Sequence, residues 1–266
     1  MQRVWQGLNG RRRLLPELVA AARAKPTHVA EPRPGEVAQR LLLGDTPVEL
    51  RVRQTGPAGL RLLSLHENEQ TAVAAAGALL QRRPGTLIEL RSRGRRLVSF
   101  RDGLRPFAFD PNRIFSDAGI ALTLRRHGSL TPAAEAAVRR LRDAVLALID
   151  GHPDEPVVAL HNNRAGRYSV LQYQPGGDHV GDAGAVAVQP GHAPQDFFVV
   201  TRAALFERLR DAGFNVVLQS DQPADDGSLS VWFQQQRRAY VNVEARHGHL
   251  REQQRMLEAV AALAPR

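Results

Sequence analysis

The 266-residue chain contains no cysteine, which excludes disulfide bonds, a thiolate nucleophile and a cysteine-ligated metal. Any metal ion would therefore have to be held by His, Asp or Glu side chains. Aromatic residues make up only 5% of the chain, which argues against recognition of single-stranded nucleic acid by base stacking. No run of eighteen apolar residues is present, so we expect no membrane span.

The N-terminal region lacks a continuous apolar stretch followed by a small-residue cleavage site. No signal peptide is therefore visible, and a cytoplasmic location is favoured. Residues 1–35, an amphipathic piece followed by a Pro-rich stretch, are predicted to be a lead-in segment. Residues 36–266 are predicted to form a single domain, and the oligomeric state is left open.

The chain carries a formal net charge of +9, from 36 Lys and Arg residues against 27 Asp and Glu residues. Such an excess could bind nucleic-acid phosphates, draw anionic small molecules toward a cleft, or simply reflect an Arg-rich composition. The basic residues are dispersed apart from clusters at 11–13 and 91–96. We therefore expect no nucleic-acid partner, although a basic binding module without catalytic activity stays an alternative.

Strand-like and helix-like segments alternate along the chain, which predicts a three-layer α/β/α domain with a mixed, largely parallel sheet. A strand over Leu60–Leu65 runs into a helix over Gln70–Leu80, and Val157–Leu160 has the wholly apolar character of a strand covered on both faces. The remaining predicted elements include a helix over Glu36–Leu43, a loop from Arg101 to Asp117, a helix from Thr131 to Ile149 and strands over Leu229–Gln234 and Tyr240–Val243.

His66 and Glu69 form a His-x-x-Glu pair directly after the first of these apolar strands. Residues three apart at the start of a helix lie on one side, so an imidazole and a carboxylate can converge on one ion. By itself such a pair is more typical of solvated residues at a helix start. His161, however, follows the Val157–Leu160 strand and should also emerge at the carboxyl edge of the sheet. Two His and one Glu are the ligand set of many catalytic zinc sites, although a satisfied turn histidine is the alternative for His161 alone.

Two further segments could supply the rest of a hydrolytic centre. Glu244 alternates with apolar residues near a strand end, where a carboxylate beside a metal site could act as general base; the alternative is a solvent-facing strand-edge residue. The segment from Arg105 to Phe115 contains Arg105, Asn112 and Arg113. Arginine and amide groups suit the binding of a carboxylate and a developing oxyanion, whereas arginines on a surface loop are the alternative.

These segments, in this order, resemble the zinc carboxypeptidase and succinylglutamate desuccinylase/aspartoacylase superfamily over about residues 60–250. The resemblance implies a three-layer zinc carboxypeptidase-like catalytic domain with one Zn²⁺ per chain. It implies that His66, Glu69 and His161 bind the metal and that Glu244 activates water. It also implies that Asn112 and Arg113 bind the substrate carboxylate, and that Arg105, which matches the aspartoacylase-like branch, polarises the scissile carbonyl.

The sequence departs from the superfamily pattern at several points. Glu67 stands where the superfamily usually has Gly, Pro111 replaces the usual Leu, and the interval from His161 to Glu244 is longer than in aspartoacylases. The predicted function is hydrolysis of an amide bond beside a carboxylate, in a carboxypeptidase or peptide amidase. An N-acyl amino acid deacylase is the alternative within the same chemistry, because Arg105 favours that branch while the overall length favours the peptidase.

Overall fold

The computed structural model describes residues 35–56, 59–164, 166 and 168–263. The chain divides into two units, Met1–Ala30 and Glu31–Arg266, and all of the described residues belong to the second. The predicted lead-in segment therefore lies, up to residue 34, outside the described residues. Within the part of the chain that is described, none of the helices combines the length and apolarity needed to cross a membrane.

The secondary structure of this unit alternates between strands and helices, as predicted. The strands are β1 (Glu36–Leu43), β2 (Thr46–Gln54), β3 (Leu60–Ser64), β4 (Gly85–Arg91), β5 (Val98–Asp102), β6 (Arg105–Phe109), β7 (Val157–Asn163), β8 (Ala183–Ala187), β9 (Phe197–Val200), β10 (Asn215–Gln219) and β11 (Tyr240–Arg246). The α-helices are α1 (Gln70–Leu80), α2 (Asp117–His127), α3 (Pro132–Ile149), α4 (Ala203–Asp211), α5 (Leu229–Gln235) and α6 (Leu250–Leu263). Short 3₁₀ helices lie at Pro111–Arg113, Val170–Tyr173 and Val180–Asp182.

Nine strands form one mixed sheet in the order β1-β2-β4-β3-β7-β11-β9-β10-β8, and β5 and β6 form a separate hairpin. The run β4-β3-β7-β11 at the centre is parallel, as is the pair β9 and β10. The other neighbours in the large sheet are antiparallel. The predicted fold class, a three-layer α/β/α domain around a mixed sheet, is thus confirmed.

Apolar side chains cover both faces of the sheet because alternate residues of a strand point to opposite sides. Leu63 of β3 packs in a core with α2, α3, α5 and the β5–β6 hairpin, whereas Leu62 packs in a second core with α1, α4 and α6. The strands in the middle are buried on both faces, which explains their continuous apolar sequences.

Two predicted elements are wrong, and one segment predicted as a loop contains regular secondary structure. Glu36–Leu43 is strand β1 rather than a helix, because it pairs antiparallel with β2 through a two-residue turn at Gly44. Leu229–Gln235 is helix α5 rather than a strand, and the Ser228 side chain caps its first turn by accepting a hydrogen bond from the Val231 amide. The segment predicted as a loop from Arg101 to Asp117 contains strand β6 and a 3₁₀ helix.

Candidate metal centre and cleft

The side chains of His66, Glu69 and His161 meet at the carboxyl edge of the parallel strands and are almost fully buried. His66 lies just beyond the end of β3, Glu69 is the residue before α1, and His161 lies near the end of β7. Because β3 and β7 are parallel neighbours, both strands deliver their histidines to the same edge. The Glu69 side chain makes no capping hydrogen bond to α1 and is directed to the histidines instead.

The distances among the three side chains suit a small divalent ion. His66 Nδ1 lies 3.1 Å from Glu69 Oε1, His161 Nδ1 lies 3.1 Å from Glu69 Oε2, and the two Nδ1 atoms are 3.3 Å apart. Ligands that surround a tetrahedral zinc at 2.0–2.1 Å stand about 3.3–3.4 Å from one another. The donor set and its spacing therefore fit the metal that the sequence predicts.

Asp110, at the end of β6, orients the first histidine. His66 Nε2 lies 2.8 Å from Asp110 Oδ1, and a carboxylate only accepts, so Nε2 is the protonated nitrogen and Nδ1 is left to bind an ion. Burial lowers the pKa of His66, but the nearby carboxylates of Glu69 and Asp110 outweigh it and raise the pKa to about 9. Burial in turn raises the pKa of Glu69, and the two histidines outweigh it, so that this pKa is lowered. A proton therefore occupies the metal-free site at neutral pH and must leave when a metal binds.

Glu244 is held next to the metal site by strand pairing. On β11 it stands directly opposite His161 of β7, and only 7% of it is exposed. Burial raises the pKa of the Glu244 carboxyl, and this effect exceeds the opposing influence of His161. A carboxylate whose pKa is raised is a stronger base, so it can take a proton from water and return it to a leaving group. Position and electrostatics thus suit the general-base role predicted for Glu244.

The metal site opens into a cleft of about 590 Å³ whose lining is mainly polar. Asn112 and Arg113 both line this cleft, as the sequence predicts for groups that bind a substrate. The Asn112 side-chain oxygen accepts a hydrogen bond from the Leu229 amide, which leaves its NH₂ group as the donor available to a ligand. Arg113 is 41% exposed at its side chain, and its guanidinium lies 3.5 Å from the carboxylate of Asp226.

Two glycines fix the backbone around Arg113. A Cβ atom at Gly119, in the first turn of α2, would lie 2.8 Å from the Arg113 carbonyl oxygen and 2.4 Å from Gly227 Cα. Gly227 has a φ of +75°, and the Phe115 amide donates to its carbonyl oxygen at 2.9 Å. Only residues without a side chain allow this close approach of two backbones. The connection between β10 and α5 and the start of α2 are thereby locked together behind Arg113.

The structure does not bring Arg105 to the cleft. Arg105 is exposed at the start of β6 and pairs with Asp102 at the turn of the β5–β6 hairpin, whereas Asp110 at the other end of that strand reaches the metal site. A different arginine, Arg96, lies beside the His66, Glu69 and His161 cluster. Arg96 NH1 lies 2.8 Å from Glu69 Oε1 and its NH2 lies 3.5 Å from Asp110 Oδ2, and its half-exposed side chain lines the cleft. The sequence signal for Arg96 was the basic cluster at 91–96, which carried no spacing motif.

Glu67 organises the turn that carries Arg96. One Glu67 oxygen accepts hydrogen bonds from the amides of Ser92 and Gly94, at 2.5 and 2.6 Å, and the other lies 2.9 Å from the Arg91 guanidinium. This turn contains a non-glycine residue in the left-handed region, Arg93 with φ +61°, a conformation that costs free energy unless its surroundings hold it. Glu67 thus fixes the β4–β5 connection.

Aromatic and polar side chains that the sequence did not indicate form another wall of the cleft. The hydroxyl groups of Tyr168 and Tyr173 hydrogen-bond to each other, and the Tyr173 ring stacks on His179 at a centroid distance of 5.3 Å. Burial raises the pKa of both tyrosines, so both keep their phenolic protons at neutral pH.

Comparison with known proteins adds little to this geometry. No protein-family model matches the chain, and no curated protein matches it. Among solved structures, the chain is similar to a putative metallopeptidase from Shewanella amazonensis SB2B, with 16% sequence identity and a TM-score of 0.44. The similarity covers 87% of this chain and 88% of the other.

Proposed function

We propose that the protein is a zinc-dependent hydrolase that cleaves an amide bond beside a carboxylate. The observation that carries this proposal is the buried His66, Glu69 and His161 cluster with Glu244 opposite His161 on the next strand. Three ligands of this type leave a coordination position open, which is typical of catalytic rather than structural zinc sites. The polar cleft at the open side supplies room for a substrate.

Each residue then has a defined task. Zinc, when bound, supplies a Lewis acid that polarises the scissile carbonyl and acidifies water. Glu244 takes a proton from the attacking water and passes it to the departing amine. Arg113 and the free NH₂ group of Asn112 hold the substrate carboxylate by charge-assisted hydrogen bonds. Arg96, which lies at the metal site, replaces Arg105 as the group that stabilises the developing negative charge.

The preferred substrate class is a peptide with a free terminal carboxylate. The deacylase alternative was supported by the spacing of Arg105, and Arg105 does not line the cleft. The prevalence of polar groups there favours a substrate with polar side chains. N-acyl amino acids are the second class to test.

The first experiment measures metal content and hydrolysis together. Wild-type protein should hold about one zinc per chain and release amino acids from short peptides in a zinc-dependent reaction. His66→Ala and His161→Ala should each lose the metal. Glu244→Gln should keep the metal and lose orders of magnitude in turnover, because it removes the base and leaves the ligands.

His152→Ala is the matched control. This histidine is largely exposed and precedes the start of β7, whereas His161 lies near the other end of that strand. Its metal content and turnover should equal those of the wild type. A purified protein with intact ligands and no stoichiometric metal would overturn the proposal. Salt-sensitive nucleic-acid binding without hydrolysis would favour the basic binding module instead.

A further inference from the structure

Two asparagines flank Glu244 on the same face of neighbouring strands. Asn242 precedes Glu244 by two residues on β11, and Asn163 follows His161 by two residues on β7. Since side chains of a strand alternate between faces, and Glu244 stands opposite His161, all four lie on one face. Both asparagines are 8% exposed, almost as buried as Glu244 itself.

Each asparagine donates to a different oxygen of the same carboxylate. Asn242 Nδ2 lies 3.3 Å from Glu244 Oε1, and Asn163 Nδ2 lies 3.3 Å from Glu244 Oε2. The Asn163 amide is itself anchored, because Nδ2 also donates to the Gln195 carbonyl oxygen at 2.7 Å. Rotation of the carboxylate about its last side-chain bond would stretch one of the two contacts to Glu244. The pair therefore restrains the plane of the carboxylate and not only its position.

The remaining polar atoms of the two asparagines indicate why the residues are there. Among the described residues, Asn163 Oδ1 and Asn242 Oδ1 are buried oxygens without a hydrogen-bond partner. A buried acceptor without a partner destabilises the folded protein, and native structures contain few of them. An asparagine that served the core alone would gain more from an arrangement that satisfies both ends of its amide. Here the NH₂ group of each asparagine donates to Glu244, and the side-chain oxygen of each is left without a partner.

We propose that Asn163 and Asn242 are positioning residues that together fix the orientation of the Glu244 carboxylate toward the water it deprotonates. The inference rests on the proposed function, in which Glu244 is the base. A fixed carboxylate keeps its reactive lone pair directed at the attacking water, which raises the rate of the chemical step without changing substrate binding. Both asparagines line the cleft, but in this scheme they act on Glu244 and bind neither the substrate nor the metal.

The activity test is a pair of double-mutant cycles on the zinc-loaded full chain. Asn163→Ala and Asn242→Ala should each lower kcat at least tenfold, with KM within about twofold of wild type and the zinc content unchanged. In an E244Q background, either substitution should cause no further loss, because the group through which it acts is gone. Equal fractional losses in the wild-type and E244Q backgrounds would overturn the proposal.

Asn215→Ala is the matched control. Asn215 is a buried asparagine on β10 that donates to the carbonyl oxygens of Ala193 and Asp196 and makes no contact with Glu244. The Asn215→Ala substitution should lower the midpoint of denaturant unfolding, while the protein that stays folded keeps the wild-type kcat. A loss of kcat as large as that of the other two variants would indicate a general effect of removing buried amides and would count against the proposal.

A second measurement needs no activity. In the metal-free protein, Asn242→Ala should shift the unfolding midpoint by different amounts in the wild-type and E244Q backgrounds, since the asparagine interacts with the carboxylate directly. Additive shifts would overturn the inference whatever the enzyme does. A protein that shows coupled shifts and binds zinc, but hydrolyses none of the peptides or N-acyl amino acids, would instead refute the proposed function.

Discussion

Gln253 of helix α6 connects the last helix to the strand end that carries a metal ligand. Its side chain is fully buried; Nε2 donates to the His161 carbonyl oxygen at 3.0 Å, and Oε1 accepts from Asn162 Nδ2 at 2.8 Å. The Asn162 side-chain oxygen accepts in turn from the Ala72 amide in the first turn of α1. One buried amide thus joins two helices to β7 at the edge where the metal site lies.

Gln253→Leu keeps most of the side-chain volume and removes both hydrogen bonds. Asn162 Nδ2 retains a second acceptor, the Ala245 carbonyl oxygen at 3.3 Å. The main loss therefore falls on the His161 carbonyl oxygen, which no longer accepts from Gln253. Two lost hydrogen bonds of about 1 kcal/mol each and a partly unsatisfied buried carbonyl, at about 1–3 kcal/mol, are offset in part by the added apolar side chain. We expect the free energy of unfolding to fall by about 2–3 kcal/mol.

Denaturant unfolding of the metal-free protein measures this change. Gln254→Leu, the next residue of the same helix and partly exposed, is the control and should change the free energy of unfolding by less than about 0.5 kcal/mol. Gln253→Leu should also weaken metal binding, because the backbone of His161 is less firmly held. An unfolding free energy within about 0.5 kcal/mol of wild type would refute the reasoning, because it would mean that these buried hydrogen bonds contribute nothing net.

Three other predictions follow from the site. Glu67→Gln should lower kcat/KM about tenfold by loosening the turn that carries Arg96, while metal content, measured by elemental analysis, stays unchanged. Gly119→Ala should lower the unfolding free energy by more than about 2 kcal/mol, because its Cβ would meet backbone at 2.4 Å; an unchanged denaturation midpoint would contradict this. In the metal-free protein the pKa of His66 is raised to about 9, so its stabilisation is fully present below pH 6.5 and is lost as the pH rises to 9. At 1.36 kcal/mol per pH unit, the free energy of unfolding should be about 3 kcal/mol lower at pH 9 than at pH 6.5 because of His66. If His66→Gln showed a decline of the same size, His66 would be excluded as its origin.

The convergence of His66, Glu69 and His161 could be predicted from the sequence because it depends on strand ends. The apolar runs that precede His66 and His161 identify buried parallel strands, and parallel neighbours bring their carboxyl ends to one edge whatever the loops between them do. Glu244 follows from the same logic on β11. The fold class could be predicted for this reason as well, since the central strands are covered on both faces and read as continuous apolar segments.

The errors occurred where tertiary contacts override local preference. Glu36–Leu43 is rich in residues that favour helices, yet the turn at Gly44 commits it to pairing with β2, and a Cβ there would meet the Arg101 carbonyl oxygen at 1.9 Å. Leu229–Gln235 contains the β-branched and aromatic residues that favour strands, and the capping Ser228 was the overlooked helix signal. In both cases a single residue at the boundary carried more information than the composition of the segment.

Arg105 lies away from the cleft because distance along the chain does not measure distance across a hairpin. Arg105 is nearer to Asn112 in sequence than Arg96 is, but β5 and β6 double back, so that Arg105 lies at the far turn while Arg96 enters the hairpin beside the metal site. The position of Arg96 depends on Glu67, and that of Arg113 on the contact of Gly119 with Gly227, so each arginine depends on a residue that is remote in sequence. The metal ligands depend instead on the register of the central strands. Changes in the loops should therefore alter which substrate is bound long before they disturb the metal site, and the affinity for metal should survive loop substitutions that abolish turnover.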